Sequence, residues 1–214
     1  MANEILAVIL GYLLGSIPTA YIVTRMAIGK DIRRLGSGNV GGLNTFLEVG
    51  VRPAMVVGVI DIGKGAAAVA IAYWLLDVSQ LYVLLTGLAA ATGHMWMVFL
   101  KFSGGKGMGA AFGALAVLLP VYGYWYGFII FLGIIAVTFT ITRNVALANG
   151  IGLLFLPLIV WLVTQSELAA FLAVILGVLI AIKFLPTARA AWTKSGNKKD
   201  FIVGEVKRRS KSSG

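Results

Sequence analysis

The sequence contains no cysteine and a single histidine, His94. Disulfide stapling and thiolate chemistry are therefore excluded, and so are metal sites built from several imidazoles. Charge is scarce as well. Only 12% of the 214 residues are Asp, Glu, Lys or Arg, and the eight acidic groups are outnumbered by eighteen basic ones. What fills the chain instead is apolar. Hydrophobic residues make up 59%, the mean hydropathy is +0.94, and uncharged runs of about 20 residues recur. A soluble core of this size needs no such apolar surface. The composition predicts an all-α, polytopic membrane helix bundle.

Seven spans fit the runs: 4–25, 53–76, 81–100, 107–122, 124–142, 144–164 and 168–185. The fourth is short and carries Pro120. Cations other than Lys64 fall in alternate connections and in the tail, and every second connection is empty. That alternation predicts seven crossings with the amino terminus outside and the carboxyl terminus in the cytoplasm. Residues 1–190 form the expected membrane domain. Residues 191–214 form a basic cytoplasmic tail whose last residues are expected to be disordered. No cation precedes the first apolar run, so the amino end does not read as a cleavable signal. The net charge of +10 sits beside membrane segments. It implies topology and contact with anionic lipid rather than nucleic-acid binding.

Two glycine-rich stretches join apolar segments. One is Asp31-Ile32-Arg33-Arg34-Leu35-Gly36-Ser37-Gly38-Asn39-Val40-Gly41-Gly42-Leu43-Asn44, and the other is Ser103-Gly104-Gly105-Lys106-Gly107-Met108-Gly109. Glycine lets successive N–H groups converge on an anion, and lysine and arginine add formal charge there. The orientation puts both stretches and the tail on one face, as parts of a single phosphate site. Leu35, Leu43, Phe46 and Leu47 suggest that the first stretch dips into the bundle. Three ionisable residues lie within spans. Asp61 and Lys64 share a helical face, and His94 reaches a depth similar to that of Asp61. Buried charge in a membrane is a functional signal, although a pair that only fixes helix packing accounts for it too.

Together these residues resemble the bacterial acyl-phosphate:glycerol-3-phosphate acyltransferase family. Gly15-Ser16-Ile17-Pro18-Thr19-Ala20-Tyr21 is similar to its first span, and residues 31–39 are similar to its first motif. Asp61 with Lys64-Gly65 resembles the second span. Gly93-His94 followed by Phe102-Ser103-Gly104-Gly105-Lys106-Gly107 resembles the second motif. Asn197, Gly204 and Glu205 resemble a third, with Asp200 where arginine is common and Lys194 where histidine is common.

The resemblance implies a seven-span enzyme that transfers an acyl group from acyl phosphate to glycerol 3-phosphate, giving lysophosphatidic acid. It implies no cofactor, no metal and no covalent enzyme nucleophile. The implied catalytic set is Ser37, Lys106, His94, Asn197 and Glu205, with His94 and Glu205 supporting the loop. Arg33, Gly36, Gly38, Asn39, Asn44, Gly104, Gly105, Gly107 and Gly204 are the implied binding residues. One departure stands out. Leu47 occupies the position of a family arginine that helps hold substrate. The alternative readings are a non-catalytic or altered-acceptor homologue and, further off, an anion transporter. The sequence leaves acyl-chain preference and oligomeric state open.

Overall fold

A computed structural model of the chain describes residues 1–194, with side chains described as far as Pro186. Asn197, Gly204 and Glu205, and most of the expected tail, lie outside the described residues. The described helices are α1 (Ala2–Gly15), α2 (Thr19–Ile28), α3 (Gly42–Glu48), α4 (Val51–Ala70), α5 (Gln80–Met95), α6 (Met108–Val121), α7 (Trp125–Thr142), α8 (Val145–Thr164) and α9 (Glu167–Lys194). Among the described residues there is no strand, only an isolated antiparallel bridge between Met97 and Ser103. Two compact units form, Met1–Gly123 and the chain from Tyr124 onward.

Five helical runs are long and apolar enough to cross a membrane: Ala2–Ile28, Val51–Leu75, Trp125–Thr142, Val145–Thr164 and Glu167–Pro186. The two remaining expected spans are shorter. The helix within 81–100 ends at Met95, and α6 covers 14 residues. At 1.5 Å per residue these helices are roughly 24 and 21 Å long, against about 30 Å of hydrocarbon. The first run is interrupted. Pro18 has φ −86° and ψ 64°, the inverse γ-turn, and the Thr19 N–H donates to the Ile17 carbonyl at 3.0 Å. Hydropathy does not register the missing N–H, so the sequence reads as continuous there.

In the first unit α1 packs on α5 and α4 on α6, while α5 also lies against α4 and α6. Close backbone approach sets both main contacts. A Cβ added to Gly15 would strike the Ala90 carbonyl, and one on Gly93 would strike that of Tyr12. Likewise Gly65 faces the Ala110 carbonyl and Gly113 that of Ile62. Lipid offers no hydrophobic drive between helices, so such small-residue contacts carry the association. In the second unit α8 packs on both α7 and α9, and Asn144 caps α8 by accepting from the N–H groups of Ala146 and Leu147.

The long connection between α2 and α4 does enter the core, with Leu35 partly buried against it as expected and Leu47 half-buried in α3. Ile32 and Val40 are fully buried and pack with Ala20, Val57, Met97 and Leu100. Leu43 and Phe46 are exposed instead, because α3 turns Asn44 and Thr45 inward.

The packing generates a paired expectation on one helix. Gly65→Ala should destabilise the protein by about 1–3 kcal/mol through overpacking, read as a lower Tm in detergent. Gly63, with nothing within 4 Å of its would-be Cβ, is the control. There, Ala should change stability by less than about 1 kcal/mol, toward greater stability.

Candidate active site

The first stretch opens with a 3-10 turn, Ile32–Arg34, capped by Asp31. Asp31 Oδ1 accepts from the Arg33 backbone N–H and from Nε, both at 3.0 Å, and Oδ2 accepts from Nη2 at 2.7 Å. The guanidinium also lies over the Tyr21 ring, 5.4 Å from its centroid. The side-chain bond from Arg33 holds the Asp31 carboxyl below the usual aspartate range. The same bond raises the Arg33 guanidinium.

Beyond this turn the backbone reverses at Gly36 and Gly38, with φ of 52° and 70°. Asn44 holds that reversal from inside. Its Nδ2 donates to the carbonyls of Asn39 at 3.0 Å, Leu35 at 3.1 Å and Ile32 at 3.4 Å. Its Oδ1 accepts from the Ser37 N–H at 3.1 Å. Asn44 is 2% exposed, so this candidate binding residue shapes the loop with its amide. Ser37, Arg33 and Arg34 are exposed and Asn39 is half-buried. Leu47 lies half-buried in α3.

After α5 the chain forms a tight knuckle. The Phe102 N–H donates to the Met97 carbonyl at 2.9 Å, and Lys101 and Phe102 both have positive φ, 55° and 60°. Gly104 then lies on the carbonyls of His94 and Met95. The Gly105 N–H donates to the His94 carbonyl at 2.9 Å. Gly107, with φ 80°, is the N-cap of α6. The half-buried Lys106 therefore precedes a helix start whose first N–H groups lack helical acceptors.

The two stretches meet. A Cβ on Gly105 would run into the Val40 carbonyl on one side and His94 Nε2 on the other. Beneath them lie the three ionisable groups. Lys64 Nζ is 2.9 Å from Asp61 Oδ1, and His94 Nδ1 is 3.6 Å from the same oxygen. Asp61 and Lys64 are each 4% exposed and His94 3%. Lys64 Nζ also donates to the Ile17 carbonyl at 3.0 Å, at the interruption before α2. The sequence spacing anticipates the first two proximities. It gives no sign of the third, which joins residues far apart in the chain.

The arrangement brings together glycine-rich backbone, a helix start, a lysine and two arginines, one of them already engaged by a carboxylate. No group of three or more His, Cys, Asp or Glu able to hold a metal occurs among the described residues.

Two local predictions follow from these bonds. Asn44→Ala should cost about 1–3 kcal/mol by stranding buried polar groups, with faster amide exchange over residues 35–39. The depressed carboxyl of Asp31 gives a pH signature. Its pairing stabilises the turn above the ordinary aspartate value and is lost as pH falls through the lowered one. Corrected amide exchange over residues 31–35 should therefore be flat between about pH 5 and 8 and rise only in stronger acid. In Asp31→Asn it should be fast throughout.

Residues 5–193 match the family described as Glycerol-3-phosphate acyltransferase. Glycerol-3-phosphate acyltransferase 1 of Dehalococcoides mccartyi is 47% identical over 208 residues, covering 97% of this chain and 100% of that protein. The Glycerol-3-phosphate acyltransferase of Geotalea daltonii is 36% identical over 183 residues, covering 86% and 91%. The fold is similar to the crystal structure of PlsY (YgiH), an integral membrane glycerol 3-phosphate acyltransferase, in its glycerol 3-phosphate form. The TM-score is 0.76 at 30% identity, over 89% of this chain and 92% of that one. The lysophosphatidic acid form of PlsY gives 0.73 at 29%. With sequence and fold matched along nearly the whole chain, this multi-pass membrane protein belongs to the glycerol-3-phosphate acyltransferase family.

Proposed function

We propose that the protein transfers an acyl group from acyl phosphate to glycerol 3-phosphate, releasing lysophosphatidic acid and phosphate. The observation that carries this reading is the contact of the two glycine-rich stretches, with the Val40 carbonyl beside Gly105. It makes one cradle from two motifs. The names of the relatives support the acceptor, and the two PlsY structures are titled for glycerol 3-phosphate and lysophosphatidic acid.

An acyl phosphate is already activated, so positioning and charge stabilisation suffice. In this mechanism the amides of Gly104 and Gly107, with Lys106, hold phosphoryl oxygens, while the Gly105 N–H, already given to the His94 carbonyl, anchors the turn. Ser37 and Asn39 orient the substrates by hydrogen bonds, and Asn197, outside the described residues, joins them. Arg33 and the turn at Gly36 and Gly38 complete the binding surface that Asn44 shapes, and Gly204 and Glu205 back it from the tail. A hydroxyl oxygen of the acceptor attacks the acyl carbonyl. The new ester C–O bond forms, the bond to phosphate breaks, and phosphate leaves with the bonding pair. The hydroxyl proton passes to a phosphate oxygen, so no enzyme nucleophile or cofactor is needed.

The alternating cations support seven crossings with this cradle facing the cytoplasm. On that count α5 and α6 serve as short crossings within the first unit. The acyl chain lies among the helices and enters from the bilayer. The second reading, an altered acceptor, is favoured by one observation, Leu47 in place of an arginine.

Purified protein given acyl phosphate should release phosphate only when glycerol 3-phosphate is present. Lys106→Ala should lower that rate by about 100-fold or more while the protein still folds. Full activity in Lys106→Ala would remove the phosphate clamp. Release with another polyol phosphate instead would favour the altered acceptor. Leu47→Arg is the companion variant, expected to lower KM for glycerol 3-phosphate.

A further inference from the structure

We propose that Asp61, Lys64 and His94 are positioning residues for acyl transfer: a buried tether that seats the turn around Lys106 on the helix bundle. The mechanism above assigns no step to Asp61 or Lys64. Both lie within a span, where an ionised side chain is costly and rarely idle.

The connections run in one line. Lys64 Nζ bonds the Ile17 carbonyl at 3.0 Å, where Pro18 has ended the first helix. It pairs with Asp61 at 2.9 Å, and Asp61 faces His94 Nδ1 at 3.6 Å. The other ring nitrogen, Nε2, lies directly against Gly105, where a side chain would collide with it. The His94 carbonyl holds the same residue by accepting its N–H. Gly109 in turn sits on Asp61, its would-be Cβ 2.8 Å from the Asp61 Cβ. Glycines on both sides of Lys106 therefore rest on members of the tether.

Gly109 also serves the α4–α6 contact, but a pair that only locked α4 to α5 would not need Gly105. Here the glycines let the turn descend onto the charged groups. The lysine backbone is thereby fixed from both sides. A tethered turn is preorganised, and loosening it should weaken capture of a phosphate-bearing substrate before it slows the chemistry. The inference rests on the acyltransferase reading only for what the turn holds.

The test uses the full chain with Asp61→Asn and with the double variant Asp61→Asn/Lys64→Met. The double variant removes both charges together and so leaves neither as a buried orphan. Two readouts are taken on folded protein: KM and kcat for glycerol 3-phosphate, and amide exchange at residues 104–107. We expect KM to rise by about tenfold or more with kcat changed less, and exchange at the turn to accelerate by a similar factor. Residues 80–88 at the far end of α5 should exchange as in the unaltered protein. Unchanged KM and unchanged exchange in either folded variant would overturn the proposal. So would a fall in kcat alone, the mark of a smaller folded fraction. Should both variants fail to fold, His94→Gln keeps both charges, removes the ring from beneath Gly105 and is read in the same way. If the unaltered protein shows no acyl transfer, the functional reading falls, and the exchange measurement alone decides the tether.

Discussion

A carboxylate that is 4% exposed inside a membrane helix has to be neutralised where it stands. For Asp61 the counter-charge is Lys64, one turn along the same helix, and His94 on α5 faces the same oxygen. Neither is a surface charge free to leave, because each is buried to the same degree. Removing one member from such a set exposes the others to the full cost of desolvation. The arrangement thus fixes the register of α4 against α5, ties α4 to the chain where Pro18 interrupts the first run, and forms the floor under the second glycine-rich stretch.

Glycine does the complementary work. Helices α1 and α5, and likewise α4 and α6, meet backbone to backbone through one glycine on each partner. These contacts bring the helices close enough for His94 to face the same Asp61 oxygen that pairs with Lys64. At the same end of the unit, Gly104, Gly105 and Gly107 let the turn lie flat on α5. Size exclusion in the bundle and anion binding at the rim therefore depend on one residue type for different reasons. In the bundle it is the missing Cβ. At Gly36, Gly38 and Gly107 it is the positive φ.

Much of this was legible in the sequence. The two glycine-rich stretches stood out by composition, and helical spacing put Asp61 and Lys64 on one face. Counting from the ends of the spans put His94 level with Asp61. The misses share a cause, since hydropathy sees side chains and not backbone hydrogen bonds. It ran through Pro18, where a helix must break, and carried the third span past Met95, where the chain turns into the knuckle before Ser103. Of the four residues it chose in the long connection, Leu35 and Leu47 are half-buried and Leu43 and Phe46 are exposed, whereas Ile32 and Val40 are the ones fully inside. The role of Asn44 depends on three carbonyls converging, and the bond from Lys64 to Ile17 depends on tertiary structure. Neither leaves a mark in local pattern.

The inward turn of the carbonyls of Ile32, Leu35 and Asn39 onto a single side chain sorts the loop by polarity. Their oxygen dipoles are drawn to the interior and saturated there. The outer rim carries Ser37 and the two arginines, together with the Asp31 carboxylate on Arg33 and the Glu48 carboxylate against Gly36. An anion at that rim would meet carboxylates as well as guanidinium groups, spared only the three carbonyl dipoles that Asn44 draws inward. Salt screens the exposed charges far more than the buried hydrogen bonds of Asn44, so the loop keeps its shape where ionic strength blunts its field.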